Sequence, residues 1–234
     1  MTTTAPTVVG FDADDTLWHN ERFYRLTQER FTELLQNHTD PDHLAERLLD
    51  AERRNLGHYG YGIKGFVLSM IETAIEVTDA RVPASVIAEL MDAGRDMLRH
   101  PIELLPFAQE TVAAVAQTHT IVLITKGDLL DQERKLAQSG LGDLFDGVEI
   151  VSEKTSALYQ EIFLRYGSGA ERAIMVGNSM RSDVVPAIEA GGWGVFVPHG
   201  LEWEIEKAPA PTHSPRFHSI EHLGALPDLV RKIQ

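Results

Sequence analysis

Cysteine is absent from the chain, which excludes disulfides and thiolate metal sites and accords with a reducing compartment. Long apolar runs are missing too. None approaches the ~20 residues that a bilayer-spanning helix needs, so no membrane association is expected. Met1 to Thr7 holds no basic stretch followed by an apolar block, so no secretory leader is expected and the expected location is cytoplasmic. Basic residues are few beside acidic ones, 21 against 35, for a formal charge of −14. Such a field repels polyphosphate backbones, and nucleic acid is not expected as a partner. It repels small anions at long range as well, so an anionic substrate needs a local cation or a few placed basic groups.

What is present is the ordinary balance of a soluble globular protein, 43% hydrophobic and 24% charged over 234 residues. That length suffices for a core domain plus a smaller insertion. Short apolar, β-rich runs at Thr7–Phe11, Thr120–Thr125, Val148–Val151, Ala173–Val176 and Gly194–Val197 are nearly continuous. This is the pattern of strands buried on both faces of a parallel sheet. Helical patterns at Gln109–Gln117, Leu129–Ser139, Thr155–Tyr166 and Ser182–Ala190 alternate with them, and the alternation predicts a doubly wound α/β sheet. A final helix is expected over Ser219–Ile233, after an exposed loop at Ala208–Pro215.

Between the first two strands no strand pattern occurs. Glu21–Asn37, a helix opened by Asp40-Pro41, Ile63–Val77 and Pro83–Arg99 all read as helical. The expected division is therefore a core of residues 1–17 and 103–234, with an all-helical insertion over 18–102. Leaving the sheet where the first strand ends, the ligand edge of an open α/β fold, that insertion is read as a cap.

Val8-Val9-Gly10-Phe11 runs into Asp12-Ala13-Asp14-Asp15-Thr16-Leu17. Residues two apart on extended backbone share a side, so Asp12 and Asp14 can aim at one point beyond the strand. Two carboxylates there repel unless a divalent cation or a shared proton lies between them. An Asp-rich turn capping the next helix is the plain alternative. Three further features fall at the same expected edge: Thr125 at the end of the second strand, Lys154 before the helix after the third, and Gly177-Asn178-Ser179 leading to Asp183. Taken singly these read as an ordinary strand threonine, a solvated lysine and part of a helix amino terminus.

In their order, these motifs resemble the haloacid dehalogenase-like hydrolase superfamily: Asp-x-Asp-x-Thr, a helical insertion, a strand-end Thr, a Lys, and Gly-Asn followed five residues later by Asp183. The resemblance spans nearly the whole chain. It implies a Rossmann-like core and, because two aspartates stand in the first motif, a Mg2+-dependent phosphatase acting on a small phosphorylated metabolite. It also implies Asp12 as nucleophile, Asp14 as general acid/base, and Thr125 and Lys154 on the phosphoryl group. Magnesium would be held by Asp12, the backbone carbonyl of Asp14, and Asp183. Asn178 stands where many relatives carry aspartate; the lost charge either weakens the metal site or leaves Asn178 to contact the metal or orient a metal-bound water. A phosphomutase, a 2-haloacid dehalogenase, and a non-catalytic scaffold remain as other readings.

Lys126 is a further candidate for substrate binding, against an ordinary salt-bridged lysine. His19 and Asn20 lie where the chain leaves for the insertion. His58–Lys64, with glycines beside tyrosines, reads either as a loop between two helices or as a specificity loop. Trp193 is assigned to packing. His199 falls at the functional edge, with no partner legible in the sequence.

Overall fold

The computed structural model describes residues 5–233. Residues 1–4, part of the stretch inspected above for a leader, and residue 234 lie outside the described residues. The chain divides into two compact units: residues 1–21, 102–126 and 132–234, and residues 22–101 with 127–131.

The first unit is built on a six-stranded, all-parallel sheet in the order β3-β2-β1-β4-β5-β6. Its strands are β1 (Val8–Phe11), β2 (Thr120–Lys126), β3 (Gly147–Val151), β4 (Ala173–Gly177), β5 (Trp193–Phe196) and β6 (Phe217–Ser219). This is the Rossmann order, and the direction of winding reverses between β1 and β4, where such sheets bind ligands. Side chains alternate across β1. Val9 and Phe11 enter one core layer, with Val112, Leu226 and Val230 from α5 (Ala108–Ala116) and α9 (Leu226–Lys232). Val8 enters the opposite layer, with Tyr159, Ile162 and Phe163 from α7 (Ser156–Tyr166). Gly10 has no room for more: a Cβ there would lie 2.9 Å from Ile124 Cδ1 and 3.0 Å from the Met175 sulfur.

Two sequence expectations are corrected here. β3 is an edge strand with Val148 40% exposed, not buried on both faces. The carboxyl-terminal segment is not one helix. Phe217–Ser219 pairs with β5, and α9 starts only at Leu226, with Pro227 in its first turn. A proline suits that position because the amide it lacks has no helical partner there.

The second unit holds α1 (Glu21–Leu35) from Arg22 onward, α2 (Pro41–Tyr59), α3 (Ile63–Val77) and α4 (Ala84–Arg99). Phe31, Leu35, Leu44, Leu48, Phe66, Met70 and Leu90 form its core. Asp40 caps α2 by accepting from the amides of Asp42 and His43, with Pro41 next. At Gly94 a Cβ would come within 2.5 Å of Val67 Cγ2, so α3 and α4 cross closely only because that residue is glycine. The His58–Lys64 segment joins α2 to α3 through Gly60 and Gly62, both at positive φ. Lys64 pairs with Asp128 at 2.8 Å, within the same unit. Among the described residues no helix is long and apolar enough to cross a membrane.

Candidate active site

Parallel pairing sets β1 and β4 level, Phe11 beside Val176, so Asp12 and Gly177 leave the sheet together. The Asp12 amide donates to the Val176 carbonyl at 2.9 Å, which fixes the aspartate at the strand's end. Beyond β4 the chain makes a π-helical turn, Met180–Val184, before α8 (Val185–Glu189). That wider turn carries Asp183 back over the end of the sheet. Its carboxylate lies against the Cα of Gly177, where any Cβ would fall 2.1 Å from Oδ2. The glycine of Gly-Asn is therefore a steric requirement for the position of Asp183.

Lys154 joins the two acids. Its Nζ donates to Asp12 Oδ1 at 2.6 Å and to Asp183 Oδ1 at 2.7 Å, with only 2% of the side chain exposed. Burial alone would strip its proton. The charges of Asp12 and then Asp183 outweigh burial and hold the ammonium well above the usual lysine range. One ammonium cannot neutralise two carboxylates. Burial, and next the charge of Asp12, push Asp183 up to about 7 even against the pull of Lys154. The cluster thus carries excess negative charge out of water, the condition that favours a divalent cation.

The Asn178 side-chain amide nitrogen donates to Asp12 Oδ2 at 3.2 Å and to the Asp14 carbonyl at 3.1 Å, tying the loop after β4 to the end of β1. Asp12, Asp183 and the Asp14 carbonyl offer only oxygen donors, and such a set fits Mg2+. Thr16 braces the group: its hydroxyl donates to Asp12 Oδ2 at 2.9 Å and accepts from the backbone N–H of Asn178 at 3.1 Å.

Asp14 is held separately. Trp18 Nε1 donates to Oδ1 at 2.7 Å, Gln132 Nε2 to Oδ2 at 2.8 Å, and Lys135 Nζ reaches both oxygens at 2.9 and 3.1 Å. Thr125, 1% exposed, ends β2 and turns its hydroxyl to the Lys126 carbonyl at 3.3 Å. Lys126 donates to Glu206 Oε1 and Ser182 Oγ, both at 2.7 Å. Ser179 and Ser182 also bond Glu206. Burial would raise the Glu206 carboxyl, but Lys126 and the two hydroxyls pull it below its ordinary value.

Sequence reasoning named Asp12, Asp14, Thr125, Lys126, Lys154 and Asp183, and the structure brings Asp12, Lys154 and Asp183 into direct contact. Thr16 entered only as the last residue of the first motif, with no role, and Trp18, Gln132, Lys135 and Glu206 were not singled out. Gln132 and Lys135 were open to discovery, since they share one face of α6 (Leu129–Ser139) three residues apart. Glu206 was not, because it sits in a short turn before a proline-rich loop.

A strand-end aspartate, a buried lysine and a second acid thus meet at the switch point of a Rossmann-like α/β sheet. The chain belongs to the haloacid dehalogenase-like hydrolase family, whose model matches residues 6–191. A solved haloacid dehalogenase-like hydrolase from Xanthomonas campestris is 43% identical, with TM-score 0.88 over 98% of this chain and 92% of that one. L-2-haloacid dehalogenase from Xanthobacter autotrophicus shares the fold, at 18% identity and TM-score 0.67 over 98% and 100% of the chains. A glyceraldehyde 3-phosphate phosphatase from Methanothermobacter thermautotrophicus is 29% identical over 102 residues, 40% of this chain. That match spans 45% of the relative's own length.

Proposed function

We propose that this hydrolase is a Mg2+-dependent phosphatase that cleaves a small phosphomonoester through an aspartyl-phosphate on Asp12. The observation that carries the reading is the buried Asp12–Lys154–Asp183 cluster, with the Asp14 carbonyl joined to Asp12 through the Asn178 amide. A carboxylate that attacks a phosphate dianion meets strong repulsion, and a site for this chemistry must concentrate positive charge at the nucleophile. Magnesium, when held by Asp12, the Asp14 carbonyl and Asp183, supplies that charge.

The remaining work falls to side chains. Lys154 steadies Asp12 Oδ1 and offers its ammonium to the phosphoryl group, while Thr16 fixes the other Asp12 oxygen. Asp12 attacks phosphorus and the ester oxygen leaves, accepting a proton from Asp14. Asp14 then removes a proton from the attacking water, and the Asp12 carboxylate departs from phosphorus, regenerating the enzyme. Trp18, Gln132 and Lys135 position Asp14 for both steps. Thr125 binds equatorial oxygens of the phosphoryl group. Lys126 stands beside it and would leave Glu206 to touch substrate.

A dehalogenase uses its aspartate against carbon and needs neither a second acid two residues on nor a cation. The two-acid pattern and the oxygen-lined cluster favour phosphate. The test is p-nitrophenyl phosphate with and without Mg2+. Turnover that requires the metal and vanishes in Asp12→Asn is expected. Metal-independent halide release from a 2-haloacid, or full activity in Asp12→Asn, overturns the proposal.

A further inference from the structure

A second group of ligating side chains lies in the same unit, made from residues that the phosphatase chemistry does not use. Asp15, His19 and His199 each place a ligand atom within 4.8 Å of the other two. The His19 and His199 rings meet edge-on, with centroids 5.7 Å apart. Asp15 and His199 are largely buried, their side chains 7% and 8% exposed, and His199 Nε2 stands 3.4 Å from Asp15 Oδ1.

The hydrogen bonds around the pair say what that gap needs. His199 Nδ1 lies 3.4 Å from the Leu201 carbonyl, an acceptor, so Nδ1 is the protonated nitrogen of that contact. Nε2 then faces a carboxylate oxygen, and either a proton on Nε2 or a metal ion between the two atoms joins them. A ring whose far nitrogen donates to a carbonyl, leaving Nε2 bare, is the usual form of a metal-ligating histidine. Asp15 is prepared in the same way. Its two oxygens accept the backbone amides of Asn20 and Glu21, each at 2.8 Å, which orients the carboxylate and leaves lone pairs over. The residue holds φ 59°, a left-handed conformation uncommon for an aspartate and maintained here by those bonds.

We propose that Asp15, His19 and His199 form a transition-metal site, separate from the magnesium ligands, that takes zinc or a similar first-row divalent ion. Two imidazoles and one carboxylate suit such ions and not magnesium, which prefers oxygen alone. Tetrahedral bonds of about 2.0–2.1 Å give ligand–ligand edges of about 3.3 Å, close to the Asp15–His199 separation; rotation of His19 completes the set. The ion would tie the loop after Asp14 to the loop after β5. This inference stands whether or not the phosphatase reading does.

The test uses the full chain, stripped of metal and then saturated with Mg2+, titrated with Co2+ and followed by visible absorption. One equivalent should bind, with the intense d–d bands of a tetrahedral site. The bands should be retained in Asp183→Asn and lost, with affinity at least about tenfold weaker, in His199→Gln and in His19→Gln. Circular dichroism of each variant confirms that it is folded, and a Zn2+-induced rise in the melting temperature of the wild-type protein gives a measurement that needs no variant. Absence of both the bands and the thermal shift in wild type shows that a proton alone bridges the pair and overturns the site. Bands that persist in both histidine variants and vanish in Asp183→Asn overturn it equally.

Discussion

Replacing Lys154 with Met probes the electrostatics of the buried Asp12–Lys154–Asp183 cluster. The substitution keeps the stem's volume and removes the charge that two buried carboxylates share, at 2.6 and 2.7 Å. Asp183 is 1% exposed at its side chain and Asp12 10%, so water cannot take over. Breaking a buried ion pair from one side costs about 3–5 kcal/mol, because the other charge stays buried without a partner. In a chain of this size each kcal/mol moves the melting temperature by ~2–4 °C, so a fall of roughly 10 °C is expected in EDTA at about pH 8. The loss should shrink at about pH 5, where Asp183, raised to about 7, escapes the penalty by binding a proton. Mg2+ should restore most of it at about pH 8, since the cation replaces the missing charge. The assay is thermal unfolding by circular dichroism at both pH values, with and without Mg2+. A loss under ~1 kcal/mol, or one indifferent to pH and to Mg2+, would refute the claim that excess negative charge is concentrated there.

Three other outcomes follow from the same geometry. In Gly177→Ala the new methyl displaces the Asp183 carboxylate, so Mg2+-dependent turnover should fall at least ~100-fold with about 1–3 kcal/mol of overpacking; calorimetric Mg2+ titration and unfolding check the two parts. Because Asp183 is raised to about 7, its stabilising share in the metal-free protein is complete below about 4 and is lost as pH rises through about 7. If Asp183 holds Mg2+ as proposed, the cation needs the ionised form, and its Kd by calorimetry should weaken about tenfold per unit as pH drops below about 7. Lys135→Met, which removes the ammonium spanning both Asp14 oxygens and leaves only Trp18 and Gln132 to hold them, should slow alkyl phosphates by ~10-fold or more and p-nitrophenyl phosphate much less, since only the poor leaving group needs a proton. Equal effects on the two substrates would remove Lys135 and Asp14 from that step.

Much of the sheet unit was legible because β1, β2 and β4 are buried on both faces and so read as continuous apolar runs. The helices around them carry ordinary amphipathic patterns. β3 misled because Val148, Ile150 and Val151 look interior while lying on an edge, and edge position depends on strand order, which no local window contains. β6 was hidden because Phe217-His218-Ser219 is too short for a period and pairs with β5 across a proline-rich loop. At the site, Asp12 and Asp14 could be found from a two-residue spacing at a strand end. The contacts of Lys154 with Asp12, 142 residues away, are long-range and were reached through motif order. The turn that aims Asp183 required a π-helical residue insertion that sequence pattern does not announce. His199 needed Asp15 and His19 brought to it by the fold.

The central claim is that Asp12 attacks phosphorus and that water then opens the resulting bond at phosphorus. A single turnover of a phosphomonoester in heavy-oxygen water, with Mg2+ present and enzyme in excess, tests it by mass spectrometry of both products. The label should appear in the released phosphate, and the peptide carrying Asp12 should stay unlabelled. Label in the Asp12 carboxylate, as expected when water attacks the carbonyl carbon of an aspartyl ester, would contradict the account.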